Sequence, residues 1–275
     1  MRQVSVAIAQ FQPRLNDVHK NLERMSDIID HICAAQKVNL IVFPELATTG
    51  YECGVRFAEF AEAVPGYTVE TLGAQCARYE TYLAFGMVVK HKVESVVYDA
   101  ALLLGPDGAP VGQYHKVHLK PEERPIFRGG FRFPVFHTTF GTLGLLLGWD
   151  VAFPEAARVL ALEGAEMLVV PASWETPAIA EWQTYLRARA LENSTFVVGV
   201  NRVGDEYTYA FGGDSAVIGP RGEVLASIGR DEQNRPREAY ALATLDLDAV
   251  RKSREELQTM QSRQPALYRV IVRNY

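Results

Sequence analysis

The stretch TLGLLLGWDVAFPEAARVLALEGAEMLVVP, Thr142 to Pro171, constrains the fold more than any other part of this chain. It holds a short apolar run, Leu143–Leu147, then a Gly-Trp-Asp step, a proline near a helix start, an amphipathic helix and a second apolar run, Met167–Val170. That is a strand, a turn, a helix and a strand, a unit whose apolar faces are buried when helices pack on a sheet. In α/β proteins the carboxyl end of such a strand is a favoured place for reactive side chains. Here the tip of the strand is Gly148, which has no side chain.

The chain opens on the same pattern. QVSVAIAQF alternates as a first strand, NDVHKNLERMSDIIDHICAAQ carries apolar residues at helical spacing after an Asn-Asp start, and VNLIVFPE is a buried-type strand stopped by Pro44. YTVETLGAQCARYE then reads as a helix, and YLAFGMVV, VVYDAALLLGPDG and APVGQYHKVHL as strands. The segment KPEERPIFRGGFRF is a loop, and PVFHTTFGTLGLLLG gives two strands around a glycine turn. Beyond the central unit come a helix, PAIAEWQTYLRARALENS, a strand, TFVVGVNRVG, and a hairpin, GGDSAVIGPRGEVLAS, around Gly-Pro-Arg-Gly. REAYALATLDLDAVRKSREELQ supplies a last strand and helix before the tail SRQPALYRVIVRNY, whose aromatic, aliphatic and basic residues predict that it docks on a surface. Hairpins are interleaved with strand-helix-strand units, so the predicted architecture is α/β with two mixed sheets face to face and helices outside. No linker or low-complexity stretch divides the 275 residues, which are enough to bury one sizeable core, so one domain is expected.

Charge and cysteine content narrow the function classes. A net charge of −5 without a basic stripe argues against nucleic acid or an anionic membrane as the main partner. No apolar run approaches the length of a membrane span, and MRQVSVAIAQFQP enters strand-like alternation at once, without the uninterrupted apolar core of a signal peptide. The cysteines, Cys33, Cys53 and Cys76, are odd in number with no metal-type spacing, which fits a reducing cytoplasm and no zinc site.

Several polar residues stand at strand ends. Glu45 follows LIVFP, where a carboxylate at the mouth of a buried strand could serve as a general base; taken alone, the stretch favours an ordinary loop acid. Lys116, within YHKVHL, either snorkels to solvent or meets a carboxylate. Glu123, in PEERP, is a third candidate or part of a solvated charge cluster. Trp174 and Glu175 follow the strand EMLVVPAS and either line a pocket or pack over a helix. His115 and His118 fall on opposite faces of the predicted strand and are poor metal ligands as a pair, while Arg189 and Glu192 read as a structural ion pair on a helix.

In joint order, FPELATTGY, YHKVHL, EERPIFRGG, GWDVAFPEAARVLALEGAEMLVVPASW and RARALENSTFVVGVNRVG resemble the carbon–nitrogen hydrolase, or nitrilase, superfamily, from the first strand to about Ile228. The resemblance implies an α-β-β-α sandwich that dimerises into an α-β-β-α-α-β-β-α arrangement. A domain over residues 1–253 would be followed by a tail, residues 254–275, docking at the dimer interface. It also implies that Glu45 is a general base, Lys116 the cationic partner of a tetrahedral oxyanion, Glu123 a positioning glutamate and the Trp149 N–H a second oxyanion donor. Tyr51, Trp149, Trp174 and Glu175 would line the substrate pocket. No cofactor or metal is implied.

The family's nucleophile is a cysteine directly before an aromatic-Asp pair, and that position is Gly148 here, although Asp150, Phe153, Pro154 and Glu155 keep the pattern. Loss of the nucleophile closes the covalent route. Three explanations compete: an amidase disabled at one position, a pseudoenzyme that binds an amide, its acid product or a protein partner, and substitution by Cys53. Asp rather than Glu after the tryptophan implies small amides or N-carbamoyl compounds rather than nitriles as the substrate class.

Overall fold

A computed structural model of the chain describes residues 2–91 and 96–272. The tail residues 273–275 lie outside the described residues. One six-stranded sheet has the order β14-β1-β2-β3-β4-β5. Its strands are β1 (Gln3–Gln10), β2 (Leu40–Val42), β3 (Tyr82–Lys90), β4 (Val97–Leu104), β5 (Pro110–His115) and β14 (Ala239–Asp246). The other runs β13-β12-β9-β8-β7-β6, built from β6 (Val135–His137), β7 (Thr142–Leu145), β8 (Met167–Ala172), β9 (Phe196–Asn201), β12 (Ala216–Ile218) and β13 (Val224–Ser227). β10 (Val203–Asp205) and β11 (Ala210–Gly212) form a separate ribbon.

The two sheets repeat one plan. In each, three parallel strands (β1-β2-β3 and β7-β8-β9) are linked by helices and continued by antiparallel strands on both sides. The linking helices are α1 (Val18–Ala35) and α3 (Tyr67–Tyr79) in the first half, and α4 (Pro154–Leu162) and α5 (Ile179–Asn193) in the second. A short α2 (Phe57–Phe60) and a late α6 (Asp248–Leu257) complete the set. The sequence explains these helices locally. Asp17 caps α1 by accepting from the Lys20 N–H at 3.1 Å, and α1 buries Leu22, Met25, Ile29 and Ile32 along one stripe. Pro154 opens α4, where the missing N–H costs nothing.

Three apolar layers hold the sandwich. Val6, Ile8, Val42 and Leu103 of the first sheet meet Leu143, Leu145, Val169 and Val198 of the second in the central layer. Leu22, Met25 and Ile29 of α1 cover the outer face of the first sheet, and Leu160, Trp182 and Leu186 of α4 and α5 cover that of the second. Strands β8 and β9, sheathed on both faces, are buried throughout, which is why they read as continuous apolar runs. The predicted α-β-β-α sandwich with two mixed sheets is the observed one.

One boundary differs from expectation. The strand predicted through YHKVHL stops at His115, so Lys116 and His118 sit beyond its end and the two histidines are not on opposite faces of one strand. Beyond His115 the Lys116 N–H still donates to the Asp99 carbonyl of β4 at 2.9 Å, while its carbonyl accepts from the Gly130 N–H at 2.8 Å and its side chain meets the Glu45 and Glu123 carboxylates. The tail forms short 3-10 turns, Pro265–Leu267 and Arg269–Val272, beside α4 and α5.

Candidate active site

The parallel trios of the two sheets bring their carboxyl ends to one place, and the site is built there. β2 runs into Phe43-Pro44-Glu45, β7 into Leu146-Leu147-Gly148, and β8 into Ser173. The close approach of β3 fixes the first of these: a Cβ on Gly86 would lie 2.5 Å from the Glu45 Cα and 2.7 Å from the Leu46 N. Only glycine at position 86 lets the backbone carrying Glu45 pass so near.

Glu45, Lys116 and Glu123 converge although they come from two separate segments, Glu45 from the loop after β2 and the other two from the connection between β5 and β6. Lys116 Nζ donates to Glu45 Oε1 at 2.8 Å and to Glu123 Oε1 at 2.7 Å, and all three residues are at most 3% exposed. Neither the snorkelling reading of Lys116 nor the solvated-cluster reading of Glu123 is what forms. Each carboxylate has further donors. Glu45 Oε2 accepts from the Ser173 N–H at 2.7 Å; Glu123 accepts from the Tyr51 hydroxyl at 2.9 Å and the Lys120 N–H at 2.9 Å. Burial works against the charge on Lys116, but Glu45, Glu123 and Asp99 outweigh it and hold the ammonium's pKa well above its ordinary value. Burial also works against the Glu123 carboxylate, and there Lys116 wins, so its pKa is lowered. The carboxylates of Glu45, Asp99 and Glu123 have oxygens within 4.8 Å of one another, a spacing that could hold a cation. The Lys116 ammonium supplies that cation.

Gly148 forms the elbow, with φ at +40°, in the left-handed region that favours glycine. A Cβ built on it would point at Glu45, 2.7 Å from Oε2 and 2.8 Å from Oε1. The elbow continues as a 3-10 turn, Gly148–Ala152, whose carbonyls are gripped from outside: Arg189 donates to the Val151 carbonyl at 2.8 Å and to the Ala152 carbonyl at 3.1 Å. The predicted Arg189–Glu192 pair is present at 2.8 Å, so the same arginine joins helix and elbow.

Asp150 fastens the elbow to the segment after Lys116. Its carboxylate accepts from the Leu147 N–H at 3.1 Å, the His118 N–H at 2.9 Å and the Tyr114 hydroxyl at 2.7 Å, and it contacts His118 Nδ1 at 2.8 Å. His118 also stacks on Phe153 with ring centroids 3.7 Å apart. Removing a buried acceptor with this many partners strands several donors at once. We expect Asp150→Ala to lower unfolding stability by about 2–4 kcal/mol in a urea titration; a change under about 0.5 kcal/mol would show that the network carries no stability.

The predicted pocket residues divide. The Tyr51 ring packs edge-on against Tyr209 and Phe211 at 5.5 and 5.6 Å, with its hydroxyl on Glu123. Trp174 packs over α5, its ring 5.6 Å from Trp182 and its indole N–H on the Ala178 carbonyl at 2.9 Å, so the helix-packing alternative describes its ring. Trp149 and Glu175 are half-buried; Glu175 pairs with Lys120 at 2.5 Å. Cys53 is buried, its thiol donates to the Thr49 carbonyl at 3.3 Å, and burial pushes its pKa up to about 11. A thiol held so far from the thiolate form is a poor stand-in nucleophile.

Two residues escaped the sequence reading. Ser173 acts through its backbone N–H, which leaves no compositional mark. Asp99 did leave one, as the single acid inside the apolar strand VVYDAALLL.

A model of the carbon-nitrogen hydrolase family matches residues 5–255. A probable nitrilase of Schizosaccharomyces pombe is 38% identical over 269 residues, covering 96% of this chain and 97% of that protein. An (R)-stereoselective amidase of a Pseudomonas species is 33% identical over 261 residues, covering 94% and 91%. Among solved structures, a variant of the amidase from Nesterenkonia sp. AN1, bearing the acetamide moiety of fluoroacetamide on its active-site cysteine, superposes with a TM-score of 0.84. It is 25% identical, with 97% of this chain and 95% of that one covered.

Proposed function

The chain belongs to the carbon–nitrogen hydrolase family, and we propose that it is an amidase framework for small amides or N-carbamoyl compounds whose nucleophile position is Gly148. The observation that carries this reading is the direction of the missing side chain: a Cβ at position 148 would meet the Glu45 carboxylate. A base aimed at one backbone position, with a buried ammonium 2.8 Å behind it, is the arrangement a thiol nucleophile needs. The likeness to an amidase whose cysteine takes up an acetamide group supports the same assignment.

In this reading a sulfur at position 148 gives its proton to Glu45 and attacks the carbonyl carbon. The carbonyl oxygen gains the electron pair and lies against the Lys116 ammonium and the Trp149 N–H. The carbon–nitrogen bond then breaks, ammonia leaves with the proton from Glu45, and water taken up through Glu45 hydrolyses the thioester to the acid. Glu123, braced by Tyr51 and the Lys120 N–H, holds Lys116 in place. Trp149 and Glu175 border the substrate in this reading. In the chain as it stands the sulfur is absent, so this cycle cannot begin. The reading is tested by ammonia release from aliphatic amides by the Gly148→Cys protein.

The second reading is a binding protein on the same fold, and one feature favours it: the Glu45 carboxylate lies within the room that a Cβ at position 148 would take. Calorimetric titration of the unaltered chain with small amides and their acids tests it. Micromolar binding by a chain whose Gly148→Cys variant stays inactive would support it, and no heat with any of them would remove it.

The assembly proposed is a homodimer or a higher homo-oligomer built from it, with residues 1–253 as one domain and the tail at the interface. Val159 and Leu162 on α4, Leu191 on α5, and Leu267, Ile271 and Val272 of the tail expose apolar surface, and Tyr268 and Ile271 share a groove with Arg158 and Glu192. We expect a dimer in sedimentation velocity and a shift toward monomer in Leu191→Glu; a monomeric unaltered chain at tens of micromolar would overturn the assignment. Among the described residues no helix is long and apolar enough to cross a membrane. The three cysteines are unpaired, which suits the proposed cytoplasmic location.

A further inference from the structure

Glu45, Glu123 and Asp99 set three carboxyl groups against one ammonium inside a fully buried volume. With all of them ionised the cluster would carry two uncompensated negative charges, a state that burial makes very costly. Hydrogen bonding separates the three. Glu45 accepts from Lys116 Nζ and the Ser173 N–H, and Glu123 from Lys116 Nζ, the Tyr51 hydroxyl and the Lys120 N–H. Asp99 is different: among the described residues neither carboxyl oxygen accepts a hydrogen bond, and the nearest cation, Lys116 Nζ, stands 3.7 Å away. The proton belongs on the acid that has lost its hydration and gained no donor in return.

We propose that Asp99 is the fourth member of the site and a positioning residue, which keeps the cluster's proton and thereby leaves Glu45 a carboxylate. Its backbone fits the task, because the Lys116 N–H donates to the Asp99 carbonyl at 2.9 Å and so registers β4 with the lysine. The groups that face it are Glu45 from the loop after β2, Lys116 and Glu123 from the segment after β5, and Tyr114 from β5 itself. Burial, followed by the negative charge of Glu45, pushes the Asp99 carboxyl well above its usual range, in the same direction as the geometry. The inference rests on side-chain placement alone and holds whether or not the chain hydrolyses amides.

Asp99→Asn replaces the neutral acid by a neutral isostere, and the sign of its effect is distinctive. An acid with a raised folded pKa contributes stability below its unfolded pKa and loses it as pH rises toward the folded value, because the unfolded chain ionises first. The asparagine protein avoids that loss. Its unfolding equilibrium constant, relative to the unaltered chain, should therefore fall about tenfold per pH unit as urea titrations move up from pH 5. A gap that stays flat, or that turns against the asparagine protein as pH rises, would make Asp99 an ionised partner of Lys116 and overturn the proposal. Infrared spectroscopy of the unaltered protein supplies the same answer without relying on the variant. A protonated-carboxyl stretch should be present in the folded state at pH 7.5 and vanish on unfolding; its absence from the folded state overturns the proposal.

Discussion

The Gly148→Cys protein is expected to release ammonia from small aliphatic amides, faster than the unaltered chain by roughly four to six orders of magnitude, the loss typical when a nucleophile is deleted from an acyl-transfer site. The substitution has two structural costs. A non-glycine residue at φ +40° carries about 1–3 kcal/mol of backbone strain. The new Cβ would also fall 2.7 and 2.8 Å from the Glu45 oxygens, inside contact distance, so the carboxylate must withdraw. Glu45 is held by Lys116 and by the Ser173 N–H, but it is the free end of a side chain, and a shift of a few tenths of an ångström leaves it in reach of the sulfur. Gly148→Ala shares both costs and lacks the thiol, which makes it the proper control. Both proteins should melt a few degrees below the parent, and only the cysteine protein should turn over amide and gain the mass of an acetamide group from fluoroacetamide. If the folded cysteine protein matched the alanine protein on a panel of amides and carbamoyl compounds, the hydrolase reading would fail and the binding reading would replace it.

The largest stability effect is expected at Lys116. Lys116→Met keeps the volume of the side chain and leaves the Glu45 and Glu123 carboxylates without their cation. Breaking a buried ion pair from one side costs about 3–5 kcal/mol, far more than a surface pair would. Urea unfolding at pH 7.5 should show a loss of that size. Acidification should recover part of it, because burial without a cation favours the neutral carboxyl and protonation at low pH relieves the stranded charge. In the unaltered protein Asp99 keeps that same sign, while the charged partners Glu123 and Lys116 add dependences of their own. The depressed pKa of Glu123 stabilises above the unfolded carboxyl value and fails as pH falls through the folded one. The raised pKa of Lys116 stabilises below the unfolded lysine value and fails only in strong alkali, as pH passes the folded one. A methionine protein as stable as its parent at pH 7.5 would mean that the carboxyls are not charged together in the folded state.

Much of this protein was legible in its sequence, for reasons that differ by element. Strands β8 and β9 are continuous apolar runs because both faces are covered, and α1 declares itself through its cap and its buried stripe. Both depend only on neighbours along the chain. Glu45, Lys116 and Glu123 stand out through motif order, yet taken one at a time Glu45 and Lys116 favour a surface reading and Glu123 has one too. The end of β5 has no local mark, because the partners that take over from Lys116 onward, Gly130 for its carbonyl and Glu45 and Glu123 for its side chain, lie outside the strand. Asp99 passed as an ordinary strand residue for the same reason.

By itself, then, the sequence determined the element types, the mixed α-β-β-α architecture, the family and the glycine at the nucleophile position, since these follow from periodicity and motif. Tertiary structure alone decided that Lys116 is buried, that Glu45 faces position 148 and is held by the Ser173 N–H, and that a third acid joins the cluster. Burial removes water from charged groups, and which partners then replace it depends on residues far apart in the chain but side by side where the two sheets end.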